Sequence, residues 1–208
     1  MKQPVRLRKA SLADLSLLRD WDTKAHVAAA SGADEPYDWK SELPRDVDWR
    51  EFLIAEIDGD PIGFIQIIDP AVEETHYWGA IEPNLRAIDI WIGHEGNLGR
   101  GFGTQMMQLA LERCFAVPAV DAVLLDPLAS NVRAHRFYER LGFSAVERRT
   151  FGSDDCIVYR LGREDWEAEK QRQARGARSP LQQPGSSERA KPAQNSDAKG
   201  VPDGNEKR

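Results

Sequence analysis

The spacing of hydrophobic positions changes period several times along the chain, and each change marks an element. Residues 5–9 alternate apolar and basic side chains, as a half-buried strand does. Ser11 follows as a helix N-cap, with Asp14 three residues on placed to complete a capping box. Leu12, Leu15, Leu17, Leu18 and Trp21 then form an apolar stripe at helical spacing. Residues 25–40 are small, acidic and irregular, and predict no more than a short helix over 25–30. Two strands, 51–57 and 62–69, flank Asp58-Gly59-Asp60, a hairpin turn in which glycine supplies the unusual backbone angle.

Residues 70–85 read as a loop carrying two prolines and the aromatics Tyr77 and Trp78. A strand over 86–93 sets Ile88, Ile90 and Ile92 on one face and Asp89 and Trp91 on the other. A glycine-rich run comes next, then an amphipathic helix over 103–115 and a buried strand over 121–126. Ser130 is read as the cap of a helix running to 141, with Gly142 closing it. Strands 143–149 and 156–161 flank a turn at Gly152-Ser153-Asp154. The order β-α-α-β-β-β-α-β-α-β-β predicts a mixed α/β sheet.

Composition divides the chain. After Trp166 there is no aromatic residue, and beyond Gln171 the only large aliphatics are Leu181 and Val201. Such a segment cannot bury enough apolar surface to offset the entropy of ordering it. The expectation is therefore a domain over 1–167 and a disordered tail over 168–208. The chain holds 28 basic and 34 acidic residues; removing the 8 basic and 4 acidic residues of 171–208 leaves 20 and 30, net −10. That balance argues against a nucleic-acid partner, which needs a basic face. It suits a cationic small molecule steered into an acidic cleft, and it equally suits simple solubility.

No stretch approaches the roughly 20 apolar residues of a membrane span, and the first ten residues lack the apolar run of a secretory signal. Cys114 and Cys156 have no partner at metal-ligand spacing, and His26, His76, His94 and His135 form no close pair. A cytoplasmic protein with no membrane partner and no structural metal is expected, either a monomer or a homodimer.

Candidate chemistry concentrates in Leu98-Gly99-Arg100-Gly101-Phe102-Gly103-Thr104. A strand, alternating glycines and then a helix let main-chain N–H groups and a helix N-terminus point at an anion. A P-loop would need a following Lys-Ser/Thr, and a dinucleotide fingerprint would need GxGxxG early in the fold; neither is present. A tight connection without ligand is the competing reading.

A second segment, Asn131-Val132-Arg133-Ala134-His135-Arg136-Phe137-Tyr138-Glu139-Arg140-Leu141-Gly142-Phe143, lies one strand later. The two segments in this order resemble the GCN5-related N-acetyltransferase superfamily. That resemblance implies a single-domain, mostly antiparallel central sheet flanked by helices, with acetyl-CoA as co-substrate. It implies donor-binding roles for Ile90, Trp91 and Ile92, for Leu98, Gly99, Arg100, Gly101, Phe102, Gly103 and Thr104, and for Asn131 and Arg136. Leu98 departs from the Arg or Gln usual at its place in the pattern. Within the superfamily, Asp89-Ile90-Trp91-Ile92, the loop, and Asp126-Pro127 followed by Ser130-Asn131 look like the aminoglycoside 6′-N-acetyltransferases. Ala28, Ala29 and Ala30 stand where those enzymes carry tryptophans. Relatives in the same branch acylate a hydroxylated lysine for siderophores.

Amine attack on a thioester needs positioning, a proton acceptor and a donor to the leaving sulfur. Asp89 is the candidate base or amine anchor, or else a salt-bridge partner of Arg86. Asp126, at the end of its strand, is a second anchor or the cap of the next helix. Tyr138 is the candidate acid: a phenol stays protonated at neutral pH and can serve a thiolate that titrates lower. Otherwise it is a core tyrosine. Tyr77 and Trp78 either stack on the acceptor or form an oligomer contact. No residue looks like a covalent acyl carrier, since Cys114 is expected in the helix core. The implied function is acetylation of an aminoglycoside 6′-amine in a ternary complex. A siderophore-type hydroxylysine acyltransferase, a protein-amine acetyltransferase and a non-catalytic CoA-binding module remain alternatives.

Overall fold

The computed structural model describes residues 4–32 and 37–177. Its strands are β1 (Arg6–Lys9), β2 (Arg50–Ile57), β3 (Asp60–Ile68), β4 (Leu85–Ile92), β5 (Ala122–Leu125), β6 (Ser144–Phe151) and β7 (Asp154–Gly162). The helices are α1 (Leu15–Asp22), α2 (Ala25–Ser31), α3 (Trp39–Glu42), α4 (Phe102–Phe115), α5 (Val132–Arg140) and α6 (Arg163–Ala177). The strands form one sheet in the order β1-β2-β3-β4-β5-β7-β6. Every neighbouring pair is antiparallel except β4 and β5.

Local chemistry explains the connections. Asp58 and Gly59 have φ of 52° and 89°, the two positive angles of a type I′ turn, and Asp60 already pairs with Ile57. The Ser11 amide donates to Asp14 Oδ2 at 2.9 Å, the return half of the expected capping box. Asp14 also accepts two bonds from the Arg8 guanidinium, at 2.8 and 2.7 Å, which locks β1 to the following turn. The cap of α5 is Asn131 and not Ser130: Asn131 Oδ1 accepts from the Ala134 amide at 3.1 Å. Gly142, at φ 94°, closes that helix as expected.

Each sheet face has its own core. Met106, Met107 and Ala110 of α4 are fully buried against Ile65, Ile67, Ile88 and Ile92. On the opposite face Leu18 and Trp21 of α1 and Trp39 of α3 pack on Phe52, Ile54 and Phe64. Trp91 stacks on Phe64 there, 4.4 Å between centroids. The alternation along β4 thus sends its isoleucines and Asp89-Trp91 to opposite faces. Gly93 admits the Trp21 ring: a Cβ there would lie 2.0 Å from Trp21 Cε2.

The structure departs from expectation at two further places. α3 is a single turn, too short for periodicity to reveal, held by Trp39 Nε1 donating to Asp22 at 2.5 Å. α6 carries the chain across the expected boundary at 168 and on to Ala177. Trp166 stacks on Phe115 at 4.7 Å, and Arg163 donates to the carbonyls of Phe115, Val117 and Val120. The remainder of the expected tail, 178–208, lies outside the described residues.

One feature positions the site. β4 pairs with β5 only over Leu85, Arg86 and Ala87. The strands then part, and residues 88–92 face a gap on that side.

Candidate active site

A cleft of about 820 Å³ opens where β4 and β5 separate. Its walls come from β4, the glycine loop and the start of α4, α5, α2 and the loop around residues 73–78. Of the residues singled out from sequence, Asp89, Ile90, Trp91, Ile92, Leu98, Gly99, Gly101, Gly103, Thr104, Asp126, Asn131, Tyr138, Tyr77 and Trp78 all line it.

At one end stands the glycine loop. Gly99 and Gly101 have φ of 73° and 84°, a conformation that costs other residues about 1–2 kcal/mol. Gly103 needs no such freedom, and a Cβ there would touch Phe137 at an ordinary 3.6 Å. No side chain caps α4, whose N-cap is Gly101. A 14-residue helix therefore presents its first-turn N–H groups to the cleft unscreened, an arrangement suited to a phosphate.

Three expected donor-binding side chains stand elsewhere. Arg100 donates to Asn97 Oδ1 at 3.1 Å and lies over the Phe102 ring, outside the cleft lining. The Phe102 side chain is buried in the α4 core. Arg136 is exposed on α5 and does not line the cleft. Helical geometry selects Arg133, Ala134, Phe137, Tyr138 and Arg140 instead, which share one side of α5. Arg133 and Arg140 are thus the basic side chains that sequence reasoning missed.

Along the β4 wall, Gln66 of β3 is registered opposite Asp89 of β4. Its Nε2 donates to Asp89 Oδ2 at 3.2 Å. Gln66 is 4% exposed, and its Oε1 has no hydrogen-bond partner among the described residues. A lone polar residue inside an apolar strand was the signal that could have revealed it. Arg86, the competing partner for Asp89, pairs with Asp69 at 2.8 Å.

Tyr138 reaches the cleft from α5 and is 9% exposed. Burial, then the Asp89 carboxylate, then the Asp126 carboxylate hold its hydroxyl proton above the ordinary phenol range. The two carboxylates and the phenol therefore share one electrostatic environment. Asp126, just past β5, accepts from Tyr77 Oη at 2.7 Å; the cap role falls to Asn131. Tyr77 lies parallel to Phe151, 4.6 Å between centroids. Trp78 is no exposed partner to it: at 2% exposure it packs edge-on against the same Phe151.

Three further carboxylates line the cleft without having been foreseen as site residues: Asp22, Glu73 and Asp154. Asp22 of α1 is held by Trp39, and burial, opposed by that bond, raises its proton affinity. Glu73 is 4% exposed and bonded within its own loop. On the α2 side the wall includes Ala28 and Ala30, and His26 Nε2 bonds the Ile92 carbonyl at 2.8 Å. Cys114 is buried in α4, with burial pushing its thiol up to about 12, which leaves no nucleophile there.

Residues 11–151 match the acetyltransferase (GNAT) domain family. The aminoglycoside N(6′)-acetyltransferase type 1 of Klebsiella pneumoniae is 31% identical over 147 residues, 67% of this chain and 73% of the relative. The lysine N-acyltransferase MbtK of Mycolicibacterium paratuberculosis is 30% identical over 153 residues, 67% and 65% of the two chains. The crystal structure of aminoglycoside acetyltransferase AAC(6′)-Ib with coenzyme A and kanamycin superposes with a TM-score of 0.72 at 27% identity, covering 80% of this chain and 99% of that one. Among the described residues no helix is long and apolar enough to cross a membrane. With the family match spanning most of the chain and the glycine loop, the parted strands and Tyr138 in one cleft, the protein belongs to the GNAT acetyltransferases.

Proposed function

We propose that the protein transfers acetyl from acetyl-CoA to an amine of a small polycation, an aminoglycoside 6′-amine, by direct attack in a ternary complex. The observation that carries this reading is the convergence of Asp89, Asp126 and Tyr138 on one cleft. The aminoglycoside N(6′)-acetyltransferase and the kanamycin and coenzyme A complexes among its relatives support the choice of both substrates.

The donor end fits acetyl-CoA on the chain's own geometry. The uncapped α4 N-terminus and the main chain at Gly99, Gly101 and Gly103 suit the pyrophosphate, with Arg133 and Arg140 supplying charge nearby. The β4 edge over 88–92 offers main-chain groups to the amides of the pantetheine arm. Asn131, its Oδ1 engaged as a helix cap, keeps its carboxamide N–H groups for the same arm.

At the acceptor end, Asp126 holds the ammonium groups of the substrate while Asp89 takes the proton that the attacking amine sheds as its nitrogen bonds to the carbonyl carbon. Gln66 fixes the Asp89 carboxylate in place. Tyr138 donates a hydrogen bond to the sulfur as the C–S bond breaks. A phenol whose proton is held this firmly stabilises the departing thiolate without surrendering the proton to it. Acetyl-CoA is a cytoplasmic metabolite, so the reading places the activity in the cytoplasm.

The similarity to MbtK and the small side chains of Ala28 and Ala30 favour a second reading, acylation of a hydroxylated lysine. Thiol-reagent detection of CoA release, across kanamycin, tobramycin, N-hydroxylysine and a basic peptide, separates the two. Release with the aminoglycosides alone is expected. Release with N-hydroxylysine alone transfers the assignment to the second reading, and acetyl-CoA binding without release to any amine identifies a binding module.

A further inference from the structure

Glu73 is a buried carboxylate on the acceptor side of the cleft with both oxygens committed to its own loop. Oε2 accepts from the Thr75 amide at 2.8 Å and from the Thr75 hydroxyl at 2.7 Å. Oε1 accepts from the amide of Tyr77. No cation is among these partners: three neutral donors hold the charge. The bonds wind residues 73–77 into a fixed turn, in which His76 takes φ 51°. Such an angle is uncommon outside glycine, and histidine is among the few side chains that adopt it more readily.

The turn delivers Tyr77. Its amide is bonded to Glu73, its ring is stacked on Phe151, and its hydroxyl donates to Asp126 Oδ2 at 2.7 Å. Next to it the Trp78 carbonyl accepts from Arg149 at 2.8 Å. Glu73, Tyr77 and Asp126 all line the cleft. Asp126 lies just past the end of a short strand beside the gap, so Tyr77 supplies a side-chain bond that fixes where its carboxylate points.

We infer that Glu73 is a positioning residue for the acceptor: through the main chain of Tyr77 it sets the hydroxyl that orients Asp126 toward the substrate's ammonium groups. The chain is Glu73 carboxylate to Tyr77 amide, Tyr77 hydroxyl to Asp126, Asp126 to substrate. Glu73 itself touches neither substrate. This inference rests on the acceptor-anchoring role proposed above for Asp126.

The test pairs kinetics with structure in Glu73→Gln, Tyr77→Phe and the double variant. Each single change is expected to raise the KM for kanamycin about tenfold, the effect of losing one hydrogen bond to a charged group. The KM for acetyl-CoA should stay within twofold, and thermal unfolding should report folded protein throughout. Because both residues act through one bond, the double variant should be no worse than the more damaged single variant. A kanamycin KM unchanged in Glu73→Gln, or losses that multiply in the double variant, overturns the inference. A crystal structure of Glu73→Gln supplies a reading independent of the acceptor: Tyr77 Oη should leave hydrogen-bonding distance of Asp126, and an unchanged contact overturns the inference. Failure of the wild type to acetylate kanamycin instead defeats the proposed function, while that structure still decides the role of Glu73.

Discussion

Gln66 and Asp89 stand directly opposite each other on β3 and β4, and the carboxamide of the first donates to the carboxylate of the second. The pair sits in a β3–β4 ladder without a register shift, so the carboxylate proposed as base is held by backbone register and not by a loop. Asp89→Asn should lower kcat for kanamycin about 100-fold, the lower range for loss of a general base. Gln66→Leu, which keeps the volume and removes the donor, should lower kcat about tenfold through a misoriented Asp89. Steady-state rates with acetyl-CoA saturating check both; wild-type rates in Asp89→Asn would remove it from the chemistry.

Tyr138 bears on the pH profile. Its hydroxyl proton is held above the phenol range by burial and by Asp89 and Asp126. The protonated form is the hydrogen-bond donor, so its contribution is present at low and neutral pH and is lost only as pH rises through that raised value. Tyr138→Phe should therefore cut kcat by about 10- to 100-fold, the loss of one hydrogen bond to a charged group, and by the same factor at every point from pH 6 to 9. An alkaline limb below pH 9 that vanishes in Tyr138→Phe would contradict this.

The donor end should depend on main chain more than on Arg100. Gly101 combines φ 84° with the N-cap of α4. Gly101→Val should weaken acetyl-CoA binding at least about tenfold through backbone strain at the loop. Arg100 is an exposed charge already bonded to Asn97, and Arg100→Ala should cost less than about threefold. Isothermal titration with acetyl-CoA measures both, and the reverse ranking would move the phosphate site off the helix terminus.

Trp21 and Gly93 make a stability prediction free of catalysis. With no room for a Cβ beneath the fully buried Trp21 ring, Gly93→Ala should destabilise the fold by about 1–3 kcal/mol in urea denaturation. A neutral result would mean that α1 can shift off the sheet at little cost.

The elements legible from sequence were those specified locally. Asp58-Gly59 encodes its turn in two residues, Ser11 and Asp14 encode a capping box within one turn, and β4 declares both faces by alternation. The glycine loop and Tyr138 stood out because their motifs are contiguous. Gln66 was missed because its meaning lies in the β3–β4 register, which a strand pattern does not reveal. Distinguishing Arg133 and Arg140 from Arg136 needs the rotation of α5 against the sheet, which a run of neighbouring basic residues does not reveal. Ser130 was read as a cap one residue early, within the usual uncertainty of helix ends. α3 depends on packing against distant strands, and the bonds of the Glu73 turn, though local, follow no pattern that the sequence displays.

The gap between β4 and β5 has a mechanical consequence. β2 and β3 are joined along their whole length, whereas the β4–β5 seam is stitched over three residues. The sheet is thus two hydrogen-bonded plates, β1 to β4 and β5 to β7, joined by a short weld. A donor seated in the seam, as proposed, would bridge both plates. Hydrogen exchange should then find the plates opening with different free energies in the empty protein and with more similar ones when acetyl-CoA is bound. The acyl donor would in that sense be a removable spline of the β-sheet, and each release of CoA would return the enzyme to its most compliant state.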